Sequence, residues 1–319
     1  VNGSSEGGEK SVWQKDVLKE LLPEILERWK GEGVKIDPGM EAKLSECIEK
    51  MGNYIPRIGF FGKTGSGKSE LCNAIFGQEV AKVDEIEACT RQPNEYFVKL
   101  SKNKGICLVD VPGIGESSVR HEEYSALYKK LVSSGTPLDA VLWVLKADDK
   151  AYVAEEDTWK KVIVPCIQKD LPVIIVLNQV DKFNPLNWNQ EANEPSAEQA
   201  EKISTKTVAV SNQFSVEDRR VPVIPTSAFR RFGMIELVDA LISALPNEKK
   251  LKVLEFTRVE NQSDKAKEEA SRGWAQFLMQ ILSKSGMVVG KFVVDNSEKI
   301  IEVGGKIILA MILGGRRGK

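Results

Sequence analysis

The sequence predicts a doubly wound α/β fold: a mostly parallel sheet covered by helices, with helical extensions at both ends of the chain. Three observations carry this. Solid apolar blocks, rather than in/out alternations, recur through the middle of the chain, as expected of parallel strands buried on both faces. Amphipathic stretches of helical spacing separate most of them, which is the pattern of a βα sheet. The first block runs directly into Gly62-Lys63-Thr64-Gly65-Ser66-Gly67-Lys68-Ser69, a glycine-rich turn of the kind that joins a strand to a helix around a phosphate group.

Taken in order, Trp13, Val17, Leu21, Leu22, Ile25 and Trp29 recur at three- and four-residue spacing. They predict a helix, kinked or restarted at Pro23 and stopped by Gly31 and Gly33. Asp37-Pro38 reads as an N-cap with proline at the first helical position, leading into Met40, Leu44, Cys47, Ile48 and Met51 on one face. The strand blocks are Ile58–Phe61, Tyr96–Leu100, Ile106–Val111, Ala140–Leu145, Val173–Leu177 and Val221–Ile224. Helices are expected near 68–77, 121–134, 155–169, 197–214 and 234–245. The polar, proline-bearing stretch 183–200 reads as a surface loop. Ala270, Trp274, Phe277, Leu278, Ile281 and Leu282 mark a further helix face, followed by two glycine-punctuated apolar stretches, Met287–Val294 and Ile300–Leu313. The expected division is a helical extension over 1–54, a nucleotide-binding domain over 55–246 and a basic helical tail over 247–319.

Composition narrows the function classes. The 319 residues include 45 Lys plus Arg against 46 Asp plus Glu, and 42% are hydrophobic, which describes an ordinary globular chain with no polyelectrolyte partner imposed on it. No specific DNA binding is expected. The longest apolar run, Ile307–Leu313, is far short of the roughly 18 to 20 residues that span a bilayer. Residues 1–10 hold no apolar signal core, so a cytoplasmic location is expected. Five cysteines at 47, 72, 89, 107 and 166 form no Cys-x-x-Cys, which argues against a disulfide framework or a zinc cluster. With His121 the single histidine, chemistry built on several histidines has no residues to use.

The glycine turn fits G-x-x-x-x-G-K-[ST]. Gly62, Gly65 and Gly67 let the backbone wrap a polyphosphate without Cβ clashes, and the N–H groups of Lys63, Thr64 and Ser66 belong to the same cradle. Lys68 would reach the β- and γ-phosphates, and the Ser69 hydroxyl would ligate Mg²⁺. Asp110, at the end of the strand Ile106–Val111, is placed for the metal, and the Gly113 N–H for the γ-phosphate. Asn178-Gln179-Val180-Asp181 ends the strand Val173–Leu177. The Asp181 carboxylate can accept from guanine N1–H and the N2 amino group, a donor pair that adenine lacks. Thr226-Ser227-Ala228 ends the next strand, where the Ala228 N–H can meet guanine O6. Four motifs, each at a strand end and in this order, predict a guanine-nucleotide site.

These residues resemble the Era-like branch of the P-loop GTPases, with a Ras-like G domain over 55–246. Asp110–Glu116, Tyr124–Tyr128, Leu142–Lys150 and Asn178–Asp181 look most like the bacterial YfjP/YeeP-type GTPases, a group described as 50S ribosome-binding GTPases. The resemblance implies GTP as substrate, GDP as product and Mg²⁺ as cofactor. It also implies that Thr90 is the switch threonine, ligating the metal in the triphosphate state only. Lys68, Thr90 and Gly113 are the residues it assigns to catalysis, and it names no catalytic base. Three departures stand out. Gln179 replaces the usual Lys. Ile114 replaces the water-orienting Gln of Ras-like proteins, which implies slow hydrolysis. Gly65 replaces the Asn of potassium-activated relatives. For the tail, with 14 basic against 8 acidic residues over 249–319, three roles stay open: a helical cap or homodimer contact, an anionic membrane surface, and ribosome or RNA binding.

Overall fold

The structure, a computed structural model, describes residues 17–31, 33, 36–52, 54–77, 95–101, 104–110, 138–217, 219–284, 301–302 and 304–305. The expected helix 121–134, His121, Val111, Met287–Val294 and most of Ile300–Leu313 lie outside the described residues. Internal contacts part the chain into two compact units. One comprises Val1–Tyr54, Asn247–Glu255 and Lys267–Lys319, and the other Ile55–Pro246 and Phe256–Ala266. The sequence division keeps the N-terminal extension and the C-terminal tail apart, whereas contacts join them in one unit and assign 256–266 to the other.

The second unit contains one six-stranded sheet of order β2-β3-β1-β4-β5-β6. Its strands are β1 (Arg57–Gly62), β2 (Glu95–Ser101), β3 (Lys104–Asp110), β4 (Ala140–Lys146), β5 (Val173–Asn178) and β6 (Val223–Pro225). All pairings are parallel except the edge hairpin β2–β3. Every residue of β1 and β5 is buried, as solid apolar strands require. The register sets Phe60 beside Asp110, Gly62 beside Val144 and Lys146 beside Asn178. The motif-bearing strand ends therefore fall at the carboxyl edge of the sheet, where ligands bind in open α/β folds.

The first unit holds α1 (Val17–Gly31) and α2 (Pro38–Gly52). α1 runs without restarting through Pro23, and the buried Leu22, Ile25, Leu26 and Trp29 offset the one backbone bond a proline removes. Asp37 caps α2, its carboxylate accepting from the Met40 N–H at 2.9 Å. Gly304 lies so close to Ala275 and Trp29 that a Cβ there would sit 3.2 and 3.4 Å from them, which sets Gly304 against α1 within this unit.

In the second unit, α3 (Lys68–Phe76) follows β1. The helix expected at 155–169 is α4 (Val153–Thr158), a π-helical segment (Trp159–Ile163) and α5 (Val164–Ile167) in succession. Pro165 has no N–H to give to the Lys161 carbonyl, and the widened turn lies just ahead of it. α6 (Ala197–Gln213) begins with a capping box formed by Ser196 and Gln199. α7 (Met234–Ala244) follows β6, whereas α8 (Asn247–Phe256) and α9 (Asp264–Lys284) belong for most of their length to the first unit. Trp143, Trp159, Tyr152 and Phe214 form the aromatic centre of the core, with ring centroids 5.3 to 5.9 Å apart and edge-to-face. The loop before α6 is anchored rather than free on the surface: Trp188 is buried and meets Phe232 edge-on at 5.2 Å.

Candidate functional site

The glycine turn leaves β1 and enters α3 through three left-handed glycines, Gly62 (φ 149°), Gly65 (φ 81°) and Gly67 (φ 87°). Two of them also have no room. A Cβ on Gly62 would lie 2.2 Å from the Val144 carbonyl oxygen, and one on Gly67 would lie 2.5 Å from Asn178 Nδ2. Gly67 is the N-cap of α3, so the helix opens at the loop and its first N–H groups lie there. The Lys68 ammonium donates to the Gly62 and Lys63 carbonyls at 3.2 Å each, and the side chain is buried. Ser69, in the first turn of α3, and Thr64 are exposed. The Ser66 hydroxyl is buried without a hydrogen-bond partner among the described residues.

What holds this loop comes from the end of β5, more than a hundred residues away in sequence. Asn178, fully buried, donates from Nδ2 to the Ser66 carbonyl at 2.9 Å. Its Oδ1 accepts from the Thr226 hydroxyl at 3.2 Å and from the Ala228 N–H at 3.1 Å. One side chain therefore ties the phosphate loop, the end of β5 and the end of β6 together. Gln179 adds a second tie, donating from Nε2 to the Gly65 carbonyl at 3.0 Å.

The expected base-reading residues come together at the same edge. Asp181 lies in the turn Val180–Lys182 after β5, and the Arg230 guanidinium faces its carboxylate, Nε to Oδ2 at 3.8 Å. Arg230 is itself held by Gln190 at 2.7 Å and lies over the Trp188 ring at 5.3 Å. Two of these residues are engaged within the protein. The Ala228 N–H, expected to meet guanine O6, is engaged by Asn178. Ser227 is fully buried, and its hydroxyl accepts from the Arg230 N–H at 3.2 Å, so it shapes the turn. Lys63 points to the end of β4, where it pairs with Asp149 at 3.4 Å. Asp110 is the last residue of β3, and its side chain lies outside the described atoms, as do Thr90 and Gly113 altogether.

Three supporting residues carried little sequence signal. Lys182 stands three residues after Gln179, the one hint being helical spacing. Arg230 and Lys206 gave none. Lys206 donates to the Asp149 carbonyl at 2.7 Å and lies over the Tyr152 ring at 4.6 Å. Burial lowers its pKa, opposed by the carboxylates of Asp149 and Asp148.

This sheet order, with a glycine loop clasped from the end of β5, defines a P-loop nucleotide-binding protein. Residues 57–179 match the family described as 50S ribosome-binding GTPase. Over 240 residues the chain is 32% identical to the uncharacterized protein YfjP of Escherichia coli (strain K12), covering 75% of this chain and 79% of that protein. It is 35% identical over 206 residues to YkfA of the same organism, covering 65% and 68%. It is also similar to a crystal structure of Aquifex aeolicus Era bound to GDP and AlF4⁻, with a TM-score of 0.42 and 21% identity over 60% of this chain and 57% of that one. The chain belongs to the Era-like P-loop GTPases, in the group that contains YfjP and YkfA. No helix among the described residues is long and apolar enough to cross a membrane.

Proposed function

We propose that the protein binds GTP with Mg²⁺ at this edge of the sheet, hydrolyses it slowly to GDP and acts as a conformational switch. The observation that carries the reading is Asn178, which fixes the phosphate loop and the base-reading loops to each other. A polyphosphate fits a cradle in which Gly62 and Gly67 cannot accept a Cβ. The Ser69 hydroxyl and the Asp110 carboxylate are hard oxygen donors of the kind Mg²⁺ takes. When bound, the metal would neutralise charge on the β- and γ-phosphates. Lys68 would turn its ammonium from the loop carbonyls to those phosphates and stabilise charge developing on the transferred group. Thr90 and Gly113 keep the roles that the family resemblance gives them. Asp181 would select guanine through N1–H and the N2 amino group, with Arg230 bracing the carboxylate from behind.

Calorimetric titration of nucleotide-free protein with GDP, a slowly hydrolysed GTP analogue and ATP, each with Mg²⁺, tests this. Guanine nucleotides should bind and ATP should not. Asp181→Asn should weaken GDP by at least tenfold, the scale of a lost charge-assisted pair of about 1.5–3 kcal/mol, and should favour xanthosine diphosphate, whose C2 carbonyl accepts where guanine donates. Equal binding of ATP, or an indifferent Asp181→Asn variant, overturns the reading.

A further inference from the structure

Gln179 is a non-glycine residue in the left-handed region, φ 66°, and its side chain is buried. Both ends of its amide are used. Nε2 donates to the Gly65 carbonyl at 3.0 Å, and Oε1 accepts from Lys182 Nζ at 2.9 Å. Lys182 is exposed and stands at the end of the short turn Val180–Lys182, where its own N–H also bonds the Gln179 carbonyl at 3.1 Å.

We propose that Lys182, acting through Gln179, is a positioning residue that holds the phosphate loop in its nucleotide-binding form. The inference rests on the nucleotide reading above and concerns how that site is kept in shape. A carboxamide can turn over, exchanging its oxygen for its NH₂ at almost no steric cost. Turned over here, it would set Oε1 against the Gly65 carbonyl oxygen, two acceptors facing each other. An ammonium accepts nothing, so with Lys182 in place the oxygen must face the lysine and the NH₂ must face Gly65. The same charge polarises the amide and strengthens its donation to the loop. Gly65 is left-handed with open space around its Cβ position, so the peptide that carries its carbonyl is set by two bonds, the Ser66 N–H to the Lys63 carbonyl at 3.1 Å and the Gln179 amide on the Gly65 carbonyl. A cation on the surface thereby acts on the grip of a loop it does not touch.

The test uses the full chain and two readouts. One is hydrogen exchange of backbone amides over residues 62–70 without nucleotide. The other is affinity for GDP with Mg²⁺. Lys182→Met should raise exchange in that segment and weaken GDP by roughly two- to tenfold, the range of one net hydrogen bond. Lys182→Arg should restore both. Gln179→Lys, which would put an ammonium directly on the Gly65 carbonyl, should make the Lys182→Met change silent, because two residues acting through one contact are not additive. Unchanged exchange and affinity in Lys182→Met overturn the proposal, and so does an equal loss from that change in the Gln179→Lys background. Failure of the wild type to bind GDP, with exchange still responding to Lys182→Met, overturns the nucleotide reading separately and reduces the tie to a structural contact.

Discussion

Replacing Asn178 with alanine should loosen two loops at once. The wild-type side chain makes three bonds, to the Ser66 carbonyl, the Thr226 hydroxyl and the Ala228 N–H. Ser66, Thr226 and Ala228 are all buried, with exposures of 1%, 0% and 5%. The Thr226 hydroxyl can rotate to another acceptor. The Ser66 carbonyl and the Ala228 N–H cannot follow, and each buried orphan costs about 1–3 kcal/mol. The expected loss is therefore about 2–6 kcal/mol, a large part of an ordinary stability of about 5–15 kcal/mol. The assay is native-state hydrogen exchange on peptides covering 62–70 and 223–232, with thermal melting as the global readout. Asn178→Asp separates the two halves of the argument. It keeps acceptors for Thr226 and Ala228 but sets an oxygen against the Ser66 carbonyl, so exchange should rise in the first peptide and far less in the second. If Asn178→Ala changes neither peptide by as much as about 1 kcal/mol, the amide does not hold the loops.

Two further outcomes are expected. Gly67→Ala combines a left-handed backbone with a Cβ 2.5 Å from Asn178 Nδ2, whereas Gly65→Ala is left-handed in open space. Thermal melts should show a loss of about 1–2 kcal/mol for Gly65→Ala and clearly more for Gly67→Ala. Equal losses would mean that the clash is absorbed elsewhere. Tyr152 donates to the Lys146 carbonyl at 2.8 Å, and burial first, then Asp149, Glu155 and Asp148, raise its pKa above the ordinary 10.0. A phenol with a raised folded pKa contributes stability that is whole below pH 10 and is lost as the pH climbs from there. Denaturation from pH 9 upward should show that decline, flattened in Tyr152→Phe, which at neutral pH should lose only about 1 kcal/mol for its hydrogen bond. A decline of the same steepness in both proteins would assign it to other groups.

The sheet was legible because its strands are buried on both faces. β4 and β5 are apolar along almost their whole length, and a period-free run of that kind has few other uses in a chain with βα spacing. The phosphate loop was legible for a different reason: left-handed backbone combined with absent Cβ space can be met by glycine alone, so the geometry writes itself into the sequence at Gly62 and Gly67, and left-handed backbone in open space favours glycine at Gly65. Neither kind of signal marks a side-chain tie. Asn178 and Ala228 stood out as motif residues, yet that the Ala228 N–H is spent on Asn178 depends on two strand ends meeting. Nothing local marks Arg230 over Trp188, since a cation over a ring needs only proximity and any surface arginine could supply it. That α1, α2 and most of α9 share one unit was hidden in the same way. Helix faces show that they need a partner and do not say which.

The ties from β5 have a consequence for how recognition is divided. Phosphate contacts and base contacts are usually counted as separate contributions to affinity. Here the residues that would read the base, at 178–181, are also those that fix the carbonyls of Gly65 and Ser66. A nucleotide that engages Asp181 stabilises the turn carrying Gln179 and Lys182, and with it the loop that grips the phosphates. A ligand that ordered both loops would pay the ordering cost once, so base and phosphate should bind with positive coupling in the absence of any contact between them. That coupling would run through Asn178, which bonds the loop and the turn after β6, and through Gln179, which bonds the loop and Lys182. Weakening either one should therefore lower affinity for a whole nucleotide by more than it lowers affinity for pyrophosphate alone.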